Sequence, residues 1–163
     1  MKINNLVIIL FAAIALISCS PSMYPTNDTR QISLSEVNPL NWRFVATNVM
    51  PSRGTARILD GNNDLMLRND TLFAQLPYIG VSHTSPIPGT DESGIRFTTT
   101  RFKINHQSTQ EKMDINIEVN DQRFVRAIQL TIQADGRATM EVLSNFRDPI
   151  SFNGNMTTLP VQY

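Results

Sequence analysis

The chain has 163 residues, with 14 Lys and Arg balanced by 14 Asp and Glu, which is room for one domain and little for a second. Zero net charge excludes the broad basic face that nucleic-acid binding needs, and 41% hydrophobic residues exclude a wholly disordered chain. A single Cys excludes an intramolecular disulfide and a zinc cluster.

Residues 1–18 read as a signal peptide. Lys2 gives a short positive start, and Leu6 to Ile17 is an unbroken apolar run of twelve. Twelve residues fall short of the roughly 20 that a membrane-spanning helix takes, and they fit the apolar segment of a secretory signal. The run ends in Leu16-Ile17-Ser18-Cys19, which resembles a bacterial lipobox. That resemblance implies cleavage before Cys19, acylation of its thiol and its new amino group, and attachment to a membrane through Cys19. Three acyl chains exceed the two signals that stable anchoring takes. No acidic residue lies between Ser20 and Met23. By resemblance to lipoprotein sorting rules, this points to the outer membrane, on its periplasmic face rather than at the cell surface. Residues 19–35 are polar, with Pro21 and Pro25 and no apolar periodicity, and read as the acylated Cys and a flexible tether. The domain is expected over 36–163.

A short helix is expected near Ile32 to Asn38, with Ser33 or Ser35 as cap and Pro39 as stop. From Trp42 onward the dominant period is two. Candidate strands at 42–49, 54–59, 64–68 and 71–76 are separated by turn-forming residues: Pro51-Ser52-Arg53, Asp60-Gly61-Asn62-Asn63 and Asn69-Asp70. The clearest alternation is Met113-Asp114-Ile115-Asn116-Ile117-Glu118-Val119, apolar at every odd position. Ile95, Phe97 and Thr99 are odd-numbered, whereas Phe102 and Ile104 are even. This shift of phase predicts a bulge or sharp bend around Thr99 to Arg101. Ile128, Leu130 and Ile132 share one face, Asp135-Gly136 turns the chain, and Ala138, Met140 and Val142 return. Residues 94–144 therefore read as a meander of about four strands, and Ile150 to Phe152 adds a last short one.

The expected fold is all-β: an antiparallel meander of about nine or ten short strands forming a small barrel or a sandwich. The alternative is a β-rich domain with a short N-terminal helix.

Pro77 to Ser93 is a connection of seventeen residues without strand pattern, and connections that long are often functional. It carries Tyr78, His83 and Asp91-Glu92. Around it stand Trp42-Arg43-Phe44-Val45-Ala46, Met50-Pro51, Leu76-Pro77-Tyr78-Ile79-Gly80, Ser85-Pro86-Ile87, Gly94-Ile95-Arg96-Phe97 and Pro149-Ile150-Ser151-Phe152-Asn153-Gly154. In this order and spacing the pieces resemble a family of small secreted proteins and lipoproteins from Bacteroidota, the domain of unknown function 4251. The resemblance spans about residues 40–155. It implies a lineage and assigns no catalytic residue.

The chemistry in reach is limited. Asp60, Asn62 and Asp64 occupy the first, third and fifth places of a calcium loop. Leu65 stands where Gly is needed and Thr71 where Glu is needed, so a plain turn is the better reading. His83 and His106 lie on separate elements without metal-ligand spacing, and no metal or cofactor is expected. Ser82-His83 with Asp91-Glu92 supplies the residue types of a hydrolase without a nucleophile elbow, so no catalytic residue is assigned. Trp42 and Phe97 read as core. Scattered arginines, among them 53, 96, 123, 137 and 147, read as a solvated sheet face. Arg126 shares parity with Phe124 and Ile128 and marks a bulge or a paired core charge.

The function expected is that of a lipid-anchored cell-envelope protein that binds a small ligand or an envelope protein without catalysis. Tyr78, His83 and Arg96 are the expected contacts. The alternatives are a structural or assembly subunit of an envelope complex and, further off, a hydrolase using the 77–93 loop.

Overall fold

The computed structural model describes residues 30–84 and 94–159. Ten strands form one antiparallel sheet: β1 (Trp42–Pro51), β2 (Arg57–Ile58), β3 (Asp64–Arg68), β4 (Thr71–Pro77), β5 (Gly94–Thr99), β6 (Phe102–Ser108), β7 (Lys112–Val119), β8 (Ala127–Gln133), β9 (Arg137–Leu143) and β10 (Ile150–Thr157). Their spatial order is β5-β4-β3-β1-β10-β9-β8-β7-β6, with β2 beside β1. The sheet wraps into a nearly closed barrel, so of the two expected architectures the barrel is the one adopted.

β1 holds the two halves together. It pairs β10 along its length, β3 through Trp42 to Val45, and β2 through Asn48 and Val49. A bulge between Ala46 and Asn48 moves the buried positions from Trp42, Phe44 and Ala46 to Val49. An extra residue there turns every later side chain to the other face, so the bulge keeps both ends of β1 pointing inward. Layers of matched apolar residues fill the barrel. One runs Ile115, Leu130, Met140, Phe152 and Val49 across five strands, and all five are buried. Gly154 on β10 faces Phe44, which is fully buried. A Cβ at 154 would meet the Phe44 ring at 2.8 Å and crowd the Val45 backbone oxygen, so glycine leaves the room this large ring occupies.

The expected bend at 99–101 is the seam of the barrel. β5 and β6 are the two ends of the sheet path although only Thr100 and Arg101 separate them. Thr99 Oγ1 donates to Asp121 Oδ2 (2.8 Å) and accepts from the Arg101 N–H (2.9 Å). The Arg101 carbonyl accepts from the Asn120 N–H (3.2 Å). The chain is therefore pinned to the β7–β8 connection at the corner where its phase changes. The Thr99 hydroxyl, first among the causes, holds the Asp121 carboxyl below the ordinary carboxylate range.

Two expectations are adjusted. The helix near residue 34 is a single 3₁₀ turn, Leu34–Glu36, closed by Glu36 Oε2 accepting from the Ser33 N–H (3.0 Å). Residues 30–35, read as the end of the tether, lie against the barrel. Ile32 and Leu34 are buried, and their N–H groups donate to the Met156 and Ala134 carbonyls (3.0 and 3.1 Å). Alternate apolar residues on one short segment are enough to dock it once backbone partners stand opposite. Arg126 is exposed, because burial parity changes at Ala127–Ile128 and turns it out to solvent. Asp60 Oδ1 accepts from the Asn62 N–H (3.2 Å) and from Asn63 Nδ2 (2.8 Å), the bonding of an Asx turn.

Candidate functional site

Where β4 ends at Pro77, the chain runs back along the connection between β9 and β10. Ser82 and Arg147 form one antiparallel bridge. The His83 N–H donates to the Phe146 carbonyl (2.7 Å), and the Asp148 N–H donates to the Val81 carbonyl (3.2 Å). Successive side chains of such a ribbon point to opposite sides. Arg147 accordingly turns into the protein and is 4% exposed. Val81 and Phe146 turn outward, at 47% and 38% exposure, and are two of the four large apolar residues exposed among the described residues.

Arg147 is the staple of this end. Its guanidinium lies 3.9 Å from the Phe124 ring centre and 4.7 Å from that of Tyr78. Its Nη1 donates to the Gly94 carbonyl (3.3 Å), which ties in the start of β5. A desolvated cation between two ring faces is a strong form of this contact, and a planar guanidinium suits it better than an ammonium. The reading of Arg147 as part of a solvated sheet face is thus corrected. The residue lies between strands, where two aromatic rings and a carbonyl compensate its burial.

Tyr78 completes the staple from its other edge. Its hydroxyl lies within donating distance of the Val81 carbonyl (3.0 Å) and the Asp148 carbonyl (3.2 Å). Burial, and then the charge of Asp148, push the phenol above its usual range, which keeps it a donor. Gly80 lies close against the hydroxyl end of this ring. A Cβ there would stand 2.6 Å from the Tyr78 hydroxyl oxygen, so the tight return of the loop requires glycine.

The rim outside the staple is polar and mostly cationic. His83 Nε2 lies 2.8 Å from Asp148 Oδ1, and Arg53 Nε lies 3.6 Å from Asp148 Oδ2. Arg123 sits over Phe124 and Phe146, at 5.1 and 5.8 Å from their ring centres. Ser52 Oγ donates to the Pro149 carbonyl and binds the turn after β1 to the same end. Arg53 and His83 thus flank the Asp148 carboxylate, and Arg123 covers the exposed Phe146.

Of the three expected contacts, Tyr78 and His83 come together, joined through Asp148. Arg96 stands exposed on the outer face of β5, opposite Gln75 of β4. Cys19 and the Asp91-Glu92 pair lie outside the described residues. Phe124, Phe146, Arg147 and Asp148 were not expected at a site. The one local signal for them was an Arg-Asp pair held between an aromatic residue and Pro149 in a connection too short to be a strand.

The chain matches the family model described as Domain of unknown function (DUF4251) over residues 27–156 and belongs to that family. No curated protein matches it significantly.

Proposed function

We propose that this member of the DUF4251 family is a lipid-anchored protein of the bacterial cell envelope that binds an acidic partner, without catalysis, at the end of the barrel formed by residues 78–84 and 144–148. One observation carries the binding half of this reading. Val81 and Phe146 both stay exposed on the two-stranded ribbon that carries buried Arg147, with Arg53, His83 and Arg123 at the same end. An apolar centre with a charged rim is the anatomy of a recognition patch. A preformed backbone lowers the ordering cost of binding. The excess of positive groups selects an acidic partner, a protein segment or a small ligand with an apolar portion.

The anchoring half rests on the sequence Leu6 to Cys19. An acylated Cys19 on the periplasmic face of the outer membrane would hold the barrel within a tether's length of the bilayer. Palmitate labelling of the full chain in a Gram-negative host tests it. Wild type is expected to label and to partition into detergent, and Cys19→Ala to do neither. A Cys19→Ala chain that still labels refutes the anchor.

For the binding patch, a photo-crosslinking residue is placed at Phe146 and, as a control, at Leu40, which is exposed ahead of the opposite end of β1. A defined adduct from position 146, absent from position 40 and lost on Arg123→Glu, is the expected result. Adducts equal at both positions, or unaffected by Arg123→Glu, refute the patch. A stoichiometric complex that survives mild detergent would favour the assembly-subunit reading of the same surface.

The His83–Asp148 pair favours a second reading, a hydrolase, because an imidazole oriented by a carboxylate makes two of the three members of a nucleophilic triad. Among the described residues no hydroxyl bonds the other ring nitrogen. Ester turnover lost in a folded His83→Ala chain would establish that reading against simple binding.

A further inference from the structure

The outer face of β6 to β10 differs from an ordinary solvated sheet face. Asn105, Asn116 and Gln129 stand opposite one another on β6, β7 and β8. Beside them Gln107, Asp114 and Thr131 form a second row. Thr139 on β9 and Asn153 on β10 extend this second row by direct register. Most of these groups are amides and hydroxyls, which both donate and accept hydrogen bonds. Adjacent strands space them at about 4.8 Å.

The face is hollowed in two places. A concavity of about 360 Å³ is lined by the six residues on β6, β7 and β8. A second, of about 620 Å³, crosses β8 to β10 and reaches β1, with Thr47, Thr139, Asn153 and Asn155 in its wall. The register pair Thr131 and Thr139 joins one hollow to the other.

Two carboxylates of this face are paired within the protein, while Glu111 in the wall of the larger hollow and Glu141 opposite Gln129 add further acidic groups. Asp114 accepts from Thr131 Oγ1 (2.8 Å) and pairs with Lys112 (2.7 Å). Asp135 pairs with Arg137 (2.6 Å). Among the described residues the two hollows therefore offer a phosphate or another polyanion no cluster of available cations. Among the described residues the walls carry no aromatic or large exposed aliphatic side chain for an apolar peptide to cover. At the centre of the smaller hollow, Asn116 Oδ1 is buried and has no hydrogen-bond partner. A desolvated acceptor is satisfied by a ligand that brings a hydroxyl donor. A row of neutral donors and acceptors, with one acceptor unmet, complements a molecule carrying hydroxyl groups at regular intervals.

We propose that the amide and hydroxyl rows on the outer face of β6 to β10 form a binding site for an uncharged oligosaccharide, centred on Asn116 and running across the strands toward Asn153. This site is separate from the Val81–Phe146 patch and does not depend on it. Without an aromatic platform the affinity rests on hydrogen bonds, and a dissociation constant near or below about 1 mM is expected.

The test uses the purified full chain in mild detergent and four neutral hexasaccharides: maltohexaose, cellohexaose, mannohexaose and N-acetylchitohexaose. NMR titration follows the side-chain amide resonances of Asn105, Asn116 and Gln129 beside the backbone amides. At least one of the four is expected to shift these resonances with saturation. Asn116→Ala is expected to weaken that binding about tenfold, the loss of one well-made hydrogen bond set. Gln129→Ala serves as a second variant from the same row, and unchanged backbone spectra show that each variant folds. The proposal is overturned if none of the four shifts the row at 10-fold excess over about 1 mM. Shifts confined to residues 81–84 and 146–148 overturn it too, as does binding that neither variant weakens.

Discussion

Replacing Arg147 with Ala removes the guanidinium held between the Tyr78 and Phe124 rings, and the size of the loss follows from what it touches. Two desolvated cation–ring contacts contribute about 2 kcal/mol each, and the charged donor on the Gly94 carbonyl contributes about 1.5–3 kcal/mol. Against these stands the desolvation of the guanidinium, several kcal/mol that the substitution returns. The balance is a loss of about 3 kcal/mol, a large share of the roughly 5–15 kcal/mol typical of a domain. At a urea dependence of about 1–3 kcal/mol per molar, the unfolding midpoint is expected to fall by about 1–3 M. Arg147→Lys is expected to lose nearly as much, because an ammonium on a flexible stem does not fill the flat space between the rings. Amide exchange adds a local readout. The His83 and Asp148 N–H groups, bonded to the Phe146 and Val81 carbonyls, are expected to exchange faster in Arg147→Ala than the lowered global stability requires. Arg147→Met keeps most of the packing and removes the charge. A Met variant at least as stable as wild type would mean that burial of the charge outweighs its contacts, and would refute the staple.

Gly154→Ala is expected to destabilise the barrel by about 1–3 kcal/mol, seen in the same urea titration, because the added Cβ meets the buried Phe44 ring and a backbone oxygen that cannot move away. Stability is expected to fall in acid. Asp114, Asp121 and Asp135 all have carboxyl groups lowered in the fold, by the Lys112 hydrogen bond, the Thr99 hydroxyl and the Arg137 N–H respectively. Their contributions are present above the unfolded value of about 3.9 and are lost as pH falls through the lowered folded values; Asp121→Asn should flatten this limb of a stability–pH curve. At the alkaline end Tyr78 acts in the opposite sense. Its folded value is raised, so its contribution is whole below about pH 10 and is lost as pH rises through the folded value; Tyr78→Phe should remove that component.

The strands legible in the sequence are those whose environment repeats every two residues. Met113 to Val119 lies between two neighbours, with one face in the core, and its alternation is complete. The change of phase between Thr99 and Phe102 was legible for the same reason and marks the seam. β10 shows only three residues of strand pattern in the sequence and has eight in the fold, because Asn153, Gly154 and Asn155 carry no strand preference of their own. Gly154 belongs there because of Phe44, which is 110 positions away in the chain, a partner that no local pattern reveals. Ile32 and Leu34 failed for a related reason: two apolar residues among polar ones are too few for a period. Their partners, the Met156 and Ala134 backbones, exist only once the barrel has formed.

The binding end shows this limit most plainly. Tyr78 and His83 stand out in the sequence because their long loop has no strand pattern to explain them. Arg147 reads as one more solvated arginine, since an Arg in a short polar connection has the same sequence signature exposed or buried. What distinguishes it is the convergence of Tyr78, Phe124 and Gly94 from three different elements, 69, 23 and 53 residues away. Such a site is assembled by topology. The meander brings the end of β4, the start of β5 and the approaches to β8 and β10 to one rim, and only there does a cation find two ring faces. The outer amide rows are legible in a different way. Asn116, Gln129 and Thr131 are the polar halves of the alternations that located β7 and β8. Their register was hidden, yet their polarity was written beside every core residue. The same period of two therefore carries both the packing of the barrel and the face it offers to solvent.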